Sequence, residues 1–398
     1  MNSHVSSCRF PMALQALSLL LPTDDQTLLL RACLWEGEAG RRAWRTWVAR
    51  AGNARDALVD DREAMQGLVP LLFCSVQRNG AEIRKNLLPH LRAVFLHEER
   101  RTEIYRSVCH SILNLLARTG VSLIVLKGVA LADQVYNDWT LRHCHDMDIL
   151  VPPDEQIRTV NALKSSGAIL CGPAGARRRT TVLEDESGLR INVHTDLFRI
   201  PYYRPPMKKM WERSLVREIL GVTIRVLALP DMLMHVCGHA SCSPSQTSLR
   251  WVCDAWHITL RLESPAWELL LDTALRSRLE LPLHAVLTYL FDELRAPIPS
   301  SVLEGLFTAA RRSPPLAKEA ALLGVRMGAP RSPWTVFTHA GSWRERAFVL
   351  RWIALPSPAC LRWSRGRGST RNLLVHYVRR PLRRFMRRMR EVSKAALQ

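Results

Sequence analysis

Apolar residues recur at steps of three and four through most of residues 12–119, and this spacing is typical of amphipathic helices. The stretch LLLRACLWEGEAGRRAWRTWVARA shows the pattern most clearly. One long helix is predicted over Ile83–Arg118, with its end at Thr119 and Gly120, because glycine often follows the last residue of a helix. Residues 1–119 are therefore predicted to form an N-terminal helical region.

The pattern changes after Gly120, where short β-branched and apolar runs replace the helical spacing. Strands are predicted at 121–126 (VSLIVL), at 146–151 (DMDILV) and, from weaker runs, at 180–184, 190–194 and 222–227. Two helical segments, VALADQVY and DEQIRTVNALKSSG, lie between the earlier strands. This alternation predicts a mixed α/β core over residues 120–229.

Helical spacing returns from Pro230, interrupted by Pro/Ser-rich breaks, and predicts a C-terminal helical region over residues 230–355. Residues 356–398 form a separate basic tail. The predicted fold class is therefore α+β, with a small mixed-sheet core embedded between N-terminal and C-terminal helical regions.

The composition is that of a folded protein and excludes a disordered chain, since 47% of residues are hydrophobic and 23% are charged. No apolar run is long enough to span a bilayer, and no signal peptide is recognised near the first residues. The ten cysteines are scattered without a CxxC pair, which is typical of reduced thiols. A cytoplasmic location is expected.

Lysine and arginine together exceed the acids by 20, and such an excess favours a polyanionic partner, an anionic membrane surface or a phosphate-rich substrate. Much of it lies in residues 361–398, which carry eleven arginines and one lysine against a single acid, Glu391. The tail pattern LVHYVRRPLRRFMRRMREV predicts a basic amphipathic helix. Its partner is an anionic membrane surface, a nucleic acid or the protein's own surface.

Asp146 and Asp148 stand one residue apart at the start of a predicted strand. Because side chains alternate along a strand, both carboxylates point to one side, where they repel each other. A hard cation such as Mg²⁺ relieves that repulsion, and two carboxylates at this spacing are able to hold a metal pair for phosphoryl displacement. The alternative is that both are solvated residues at the start of an edge strand.

Lys127 and Gly128 lie where an apolar strand runs directly into a helix. Such a turn presents backbone N–H groups and the positive end of a helix to an anion, and the glycine allows a phosphate to approach closely. A simple strand-to-helix turn explains the same residues. A phosphate-binding turn followed by a two-carboxylate strand is more specific than either motif alone.

The order of VLKGVALADQVY, LRHCHDMDILVPPDE, INVHTDLF, ALPDMLMHVCGHA and LRWVCDAWHI over residues 121–262 resembles the uncharacterised bacterial nucleotidyltransferase family of the DNA polymerase beta superfamily. The resemblance implies a nucleotidyltransferase fold, an NTP donor and Mg²⁺ or Mn²⁺ held by Asp146 and Asp148. It places Arg142 at a family position that braces the loop or contacts the triphosphate. In this reading the turn at Lys127 and Gly128 binds the phosphates. The acceptor, which could be a protein, a sugar, a small metabolite or RNA, is left open.

The resemblance also implies a third acid on a neighbouring strand, but this chain has Asn192 there, followed by His194 and Asp196. An amide ligates a metal through oxygen but cannot act as a base. Asp196 shares a strand face with Asn192 and His194 and lies about 13 Å from Asn192 along an ideal strand, too far to replace it without a bend or bulge. Either His194 or Asp196 takes the proton, or the chain is a non-catalytic member that binds a nucleotide or polyanion.

Three further groups of polar residues have both a structural and a functional interpretation. His235 and His239, with nearby cysteines, suggest a zinc site, although packed core residues are the commoner case. Asp254 is predicted to pair with Arg250 four residues earlier in a helix. The loop residues His143 and His145 brace the loop, contact the triphosphate or are solvated.

Overall fold

The protein is described here by a computed structural model covering 17–312 apart from 19, 61–64, 66, 172–179, 199–202 and 243–247, together with 343 and 346–347. Within these residues, thirteen α-helices accompany one mixed seven-stranded sheet. Helices precede, interrupt and follow the strands along the chain. The structure thus confirms the predicted α+β fold class.

Five helices form the N-terminal region, as the apolar spacing predicted: α1 (Asp24–Leu34), α2 (Gly37–Ala51), α3 (Ala54–Asp60), α4 (Val69–Arg78) and α5 (Leu88–Arg118). Thr23 and Gln26 form a reciprocal capping box at the start of α1. The long helix begins five residues later than predicted, because Pro89 in its first turn favours a start there. It ends where predicted, next to Gly120 with φ +67°.

The sheet has the strand order β3-β4-β5-β2-β1-β7-β6. Its central strands are parallel in the pairs β2/β5 and β1/β7 and antiparallel in β1/β2. The strands are β1 (Ile124–Leu126), β2 (Asp146–Leu150), β3 (Ile169–Leu170), β4 (Thr180–Glu184), β5 (Arg190–His194), β6 (Leu215–Ile219) and β7 (Val222–Val226). The helices between them are α6 (Lys127–Gln134), α7 (Gln156–Ser165) and α8 (Met207–Glu212).

Alternation along β2 and β5 separates an apolar face of the sheet from a polar one. Met147 and Ile149 of β2, and Ile191 and Val193 of β5, are fully buried. Helix α7 packs on β5, α5 packs on β7, and the two helices contact each other. The intervening residues of the same strands, including Asp148, therefore all lie on the opposite face.

Two strands were not predicted, and both lie at an edge of the sheet. Strand β3 has only two residues, too few for a periodic signal. In β6, four of the five residues are exposed, so the alternation that identifies a half-buried strand is missing. Charged residues such as Arg217 and Glu218 protect this edge from pairing with another chain.

The C-terminal helical region contains α9 (Leu229–Cys242), α10 (Arg250–Thr259), α11 (Ser264–Ser277), α12 (Glu280–Leu294) and α13 (Ser300–Arg312). The predicted basic tail lies outside the described residues, and so does most of 313–355. Within the described part of the chain, no helix combines the length and apolar character needed to cross a membrane.

Helix α9 is tied to the end of α8 by a buried ion pair. Arg213 Nε and Nη2 donate to the two carboxylate oxygens of Asp231 at 2.6 and 2.5 Å, and Nη2 also donates to Thr273 Oγ1 at 3.0 Å. The Asp231 side chain is fully buried, and this burial raises its pKa despite the attraction of Arg213. The pair therefore fixes α9 more than it adds net stability.

Asp231→Asn is expected to lower the free energy of unfolding by about 3 kcal/mol, because the largely buried Arg213 loses its counter-charge. Urea denaturation measures the difference. Asp272→Asn is the matched control, since Asp272 pairs with Arg276 at the surface and exposed pairs contribute less than about 1 kcal/mol. Equal losses in the two variants would contradict the expected role of burial.

Candidate active site

Strands β2 and β5 bring Asp146, Asp148 and Asn192 together. The two strands are parallel, and their register pairs Asp148 with Asn192. The Nδ2 atom of Asn192 donates to Asp146 Oδ2 and to Asp148 Oδ1, each at 3.0 Å. One oxygen of each carboxylate therefore faces a single point on the polar face of the sheet.

The Asp148 carboxylate is surrounded by donors from two directions. Lys127 Nζ lies 3.0 Å from Oδ2, and His194 Nε2 lies 2.8 Å from Oδ1. Burial raises the pKa of this carboxyl, but the Lys127 charge and the His194 hydrogen bond outweigh burial and hold the pKa well below its usual range. Asp148 is therefore an anion although only 8% of its side chain is exposed.

Both ring nitrogens of His194 have hydrogen-bond partners. Because an ionised carboxylate only accepts, Nε2 must donate to Asp148. The other nitrogen, Nδ1, lies 3.0 Å from Thr180 Oγ1 and is hydrogen-bonded to that hydroxyl. Both ring nitrogens are thus occupied, and in this arrangement His194 orients Asp148.

Lys127 begins α6 directly after β1, as the sequence predicted for the turn. Its φ of +37° lies in the left-handed region that L-residues rarely adopt. Gly128 is buried against the loop that precedes β2: a Cβ atom there would lie 3.3 Å from Arg142 Nη1 and 3.7 Å from Asp146 O. Close packing of α6 on this loop is thus a structural reason for the glycine, in addition to the predicted approach of a phosphate.

Arg142 braces the loop before β2 through a buried ion pair with α10. Its Nε and Nη2 atoms donate to Asp254 at 3.2 and 2.8 Å, and Tyr136 OH donates to Asp254 Oδ1 at 2.9 Å. The predicted pairing of Asp254 with Arg250 is wrong, since Arg250 instead donates to His143 O at 2.9 Å. Asp254 faces inward from its helix, and a partner 112 positions away is closer than the helical neighbour.

Helix α5 holds the same loop through a second set of contacts, the clamp formed by Glu98, Arg101 and Tyr105. Glu98 is buried and lies 2.9 Å from His143 Nδ1, and Arg101 donates to both Glu98 and the carbonyl oxygen of Cys144. Tyr105 OH donates to the carbonyl oxygen of Asp146 at 2.8 Å. Of the two loop histidines, His143 is thus part of the clamp, and the other, His145, lies 3.2 Å from Arg250 Nη1.

Sequence reasoning missed this clamp, although a signal was present. Leu91, Glu98, Thr102, Tyr105 and Cys109 lie on one buried stripe of α5, separated by steps of seven, four, three and four. An acid on the buried stripe of a helix requires a buried partner. The sequence therefore pointed to Glu98 but could not name its partner.

Asp196 lies just past the end of strand β5, two residues after His194. Strand β5 ends at His194 and the chain then bends, so the expectation that Asp196 shares the strand face is wrong. Its Oδ1 accepts a long hydrogen bond from the Phe198 backbone N–H at 3.5 Å. A local turn contact of this kind, which strand alternation does not foresee, places the side chain.

Helix α9 brings two histidines near Lys127 and Asp148. His235 is fully buried, and its ring contacts those of His239 and Phe198 with centroids 6.0 and 5.9 Å apart. Burial, followed by the charge of Lys127, lowers the pKa of His235 well below its ordinary range. In the described part of the chain, no three His, Cys, Asp or Glu side chains converge as a metal site.

The donor set around Asn192 nevertheless fits Mg²⁺ or Mn²⁺. Mg²⁺ is usually bound by one or two carboxylates, with water and substrate phosphates as the remaining ligands. Asp146 and Asp148 supply two carboxylates that face one point, and rotation of the Asn192 amide would present its carbonyl oxygen there. The residues present are oxygen donors of the hard type that these ions prefer.

The family model described as "Uncharacterised nucleotidyltransferase" matches residues 61–293, which is more than half of the chain. The protein belongs to this nucleotidyltransferase family. The match includes α5, the whole sheet and most of α12, and it supports nucleotidyl transfer as the general class of activity.

No curated protein matches the chain. Among solved structures, the chain is similar to the solution structure of the antibiotic-resistance factor ANT(2'')-Ia, with 14% identity and a TM-score of 0.35. That similarity covers 46% of this chain and 97% of the other. The match confirms the predicted membership of an uncharacterised nucleotidyltransferase family, while the bacterial origin and the DNA polymerase beta superfamily stay predictions.

The clamp predicts a pH dependence of stability. Burial raises the pKa of Glu98, but hydrogen bonds from His143 and Arg101 outweigh burial and lower it from 4.5 to about 2. A depressed folded-state pKa stabilises the protein above the unfolded pKa, and that contribution is lost as the pH falls. The free energy of unfolding of the wild type is therefore expected to fall by on the order of 2–3 kcal/mol between pH 4.5 and pH 2 because of this residue.

Glu98→Gln should remove that part of the pH dependence, which urea denaturation at a series of pH values measures. The matched control is Glu103→Gln on the same helix, where Glu103 forms an exposed pair with Arg100. An equally steep loss of stability in wild type and Glu98→Gln would show that Glu98 is not held as a buried anion.

Proposed function

We propose that this nucleotidyltransferase moves a nucleoside monophosphate from an NTP to a hydroxyl acceptor with release of pyrophosphate, using Mg²⁺ or Mn²⁺ in a two-metal mechanism. The observation that carries the proposal is the convergence of Asp146 and Asp148 on one point 3.0 Å from each, with the Lys127 ammonium and the first turn of α6 beside it. This is the charge arrangement that a metal-bound triphosphate needs.

Each residue has a role that follows from its contacts. Asp146 and Asp148 would hold the ions, and Lys127 together with the start of α6 would pair with the phosphates. His194 orients Asp148 through Nε2, and Thr180 holds the other ring nitrogen. When bound, the metal would neutralise the phosphate charge and polarise the reacting phosphoryl group.

In the reaction, the acceptor oxygen forms a bond to the α-phosphorus while the bond to the bridging oxygen breaks and pyrophosphate leaves with that electron pair. The hydroxyl proton needs an acceptor. Asn192 has no basic atom, and both nitrogens of His194 are occupied. We assign the proton to Asp146, whose carboxylate is 31% exposed.

The second candidate function is a non-catalytic member that binds a nucleotide or polyanion, and Asn192 is the observation that favours it. An amide in the slot of the third carboxylate removes one anionic ligand and one base. In that case the basic tail, residues 361–398, would provide most of the attachment to a nucleic acid or an anionic membrane surface. These residues lie outside the described part of the chain.

Asp146→Asn is expected to lower transfer of label from a radiolabelled NTP at least about 100-fold, a loss of about 2.7 kcal/mol in transition-state stabilisation. A cell lysate supplies the candidate acceptors, namely proteins, sugars, small metabolites and RNA. Asp154→Asn, an exposed change of the same kind just after β2, is the control. Nucleotide binding without transfer in wild type would favour the non-catalytic alternative.

Asn192→Asp tests the departure from three acids. Without metal the variant loses two hydrogen bonds to carboxylates and gains a third negative charge, so it should be destabilised by about 2–4 kcal/mol. Mn²⁺ should restore its melting temperature and raise it by more than in wild type. The measurement is thermal melting in EDTA and in Mn²⁺, with the exposed Asn161→Asp as control. Identical metal responses in the variant and wild type would argue against a metal at this point.

A further inference from the structure

Both oxygens of Asp148 are already occupied by donors of the protein itself. Lys127 Nζ is 3.0 Å from Oδ2, and Asn192 Nδ2 and His194 Nε2 lie 3.0 and 2.8 Å from Oδ1. The ammonium carries a full positive charge, and only 17% of the Lys127 side chain is exposed. The cation nearest to this carboxylate therefore belongs to the chain.

The backbone holds Lys127 in this place under strain. A φ of +37° at a lysine lies in a backbone region that residues other than glycine rarely adopt. Position 127 joins β1 to α6, and the register pairs Leu126 with Asp148 on the adjacent strand. The lysine thus leaves its strand beside the carboxylate with which it pairs.

We infer that Lys127 is an internal counter-ion that keeps free divalent metal off Asp148 until a triphosphate draws its ammonium away. This inference rests on the proposed function, since it assigns the order in which metal and nucleotide occupy the same site. It also implies that metal and nucleotide bind cooperatively. The triphosphate draws the Lys127 ammonium away from Asp148, and the metal supplies positive charge that attracts the triphosphate.

Electrostatics gives the reason for this cooperativity. A divalent ion at Oδ2 would meet a positive ammonium a few ångströms away, within a largely buried site where screening by water is weak. A triphosphate brings negative charge with which Lys127 is able to pair, because its four-carbon stem is flexible. Nucleotide then increases metal affinity, and by linkage metal increases nucleotide affinity by the same factor.

The test is a titration with Mn²⁺, detected by electron paramagnetic resonance, in the absence of nucleotide. Lys127→Met should bind free Mn²⁺ at least about tenfold more tightly than wild type, because the competing charge is gone. Lys127→Arg, which keeps the charge, should stay close to wild type. Lys208→Met, a change of the same kind at an exposed residue, is the control.

A non-hydrolysable NTP completes the cycle. It should raise the Mn²⁺ affinity of wild type at least about tenfold and that of Lys127→Met by much less. Equal or weaker binding of free Mn²⁺ by Lys127→Met, or no binding by either protein, would overturn the inference. Absence of nucleotide-dependent Mn²⁺ uptake in wild type would instead count against the proposed function, so the two failures are distinguishable.

Thermal melting of wild type gives a second measurement that needs no variant to fold. Mn²⁺ alone is expected to raise the melting temperature only slightly. Mn²⁺ together with the NTP analogue is expected to raise it by more than the sum of their separate effects. A shift by Mn²⁺ alone as large as that with both ligands would refute the role of Lys127 as a competing charge.

Discussion

The architecture of the candidate site depends on one ionised carboxylate that the fold has removed from water. Asp148 is stable as an anion only because Lys127, Asn192 and His194 supply donors from the start of α6 and from β5. Those donors are in place only if β1, β2 and β5 adopt their observed register. A slip of one residue would move the carboxylate to the apolar face of the sheet, so the charge and the strand pairing specify each other.

The helical regions that precede and follow the sheet in the sequence both contact the loop that leads into this site. From the N-terminal region, α5 contacts the loop before β2 through Glu98, Arg101 and Tyr105. From the C-terminal region, α10 holds the loop through Asp254 and Arg250. The loop is therefore fixed from two directions by buried charges, which favour a single arrangement. This rigidity gives Asp146 and Asp148 defined positions at the start of β2.

The sequence predicted those features that depend on local periodicity. The strands containing Asp146 and Asn192, the long helix and the turn at Lys127 all follow from alternation, apolar spacing and glycine. The sequence did not predict pairings between distant residues. The pattern of a helical face indicates that Asp254 is buried, but it does not identify Arg142 as the partner. The predicted position of Asp196 was also wrong, because the end of a strand depends on tertiary packing rather than on alternation. The edge strands lack the pattern by which strands are recognised.

The contacts that α5 and α10 make with the loop before β2 also limit how this protein is able to change during evolution. Asp254 and Arg101 belong to helices outside the central sheet, yet both contact the segment that leads into Asp146. A sheet inherited without these flanks would carry unpaired arginine and histidine side chains in its loop. The three regions are thus a single heritable unit, and recombination that exchanges one of them must also bring complementary charges for the others.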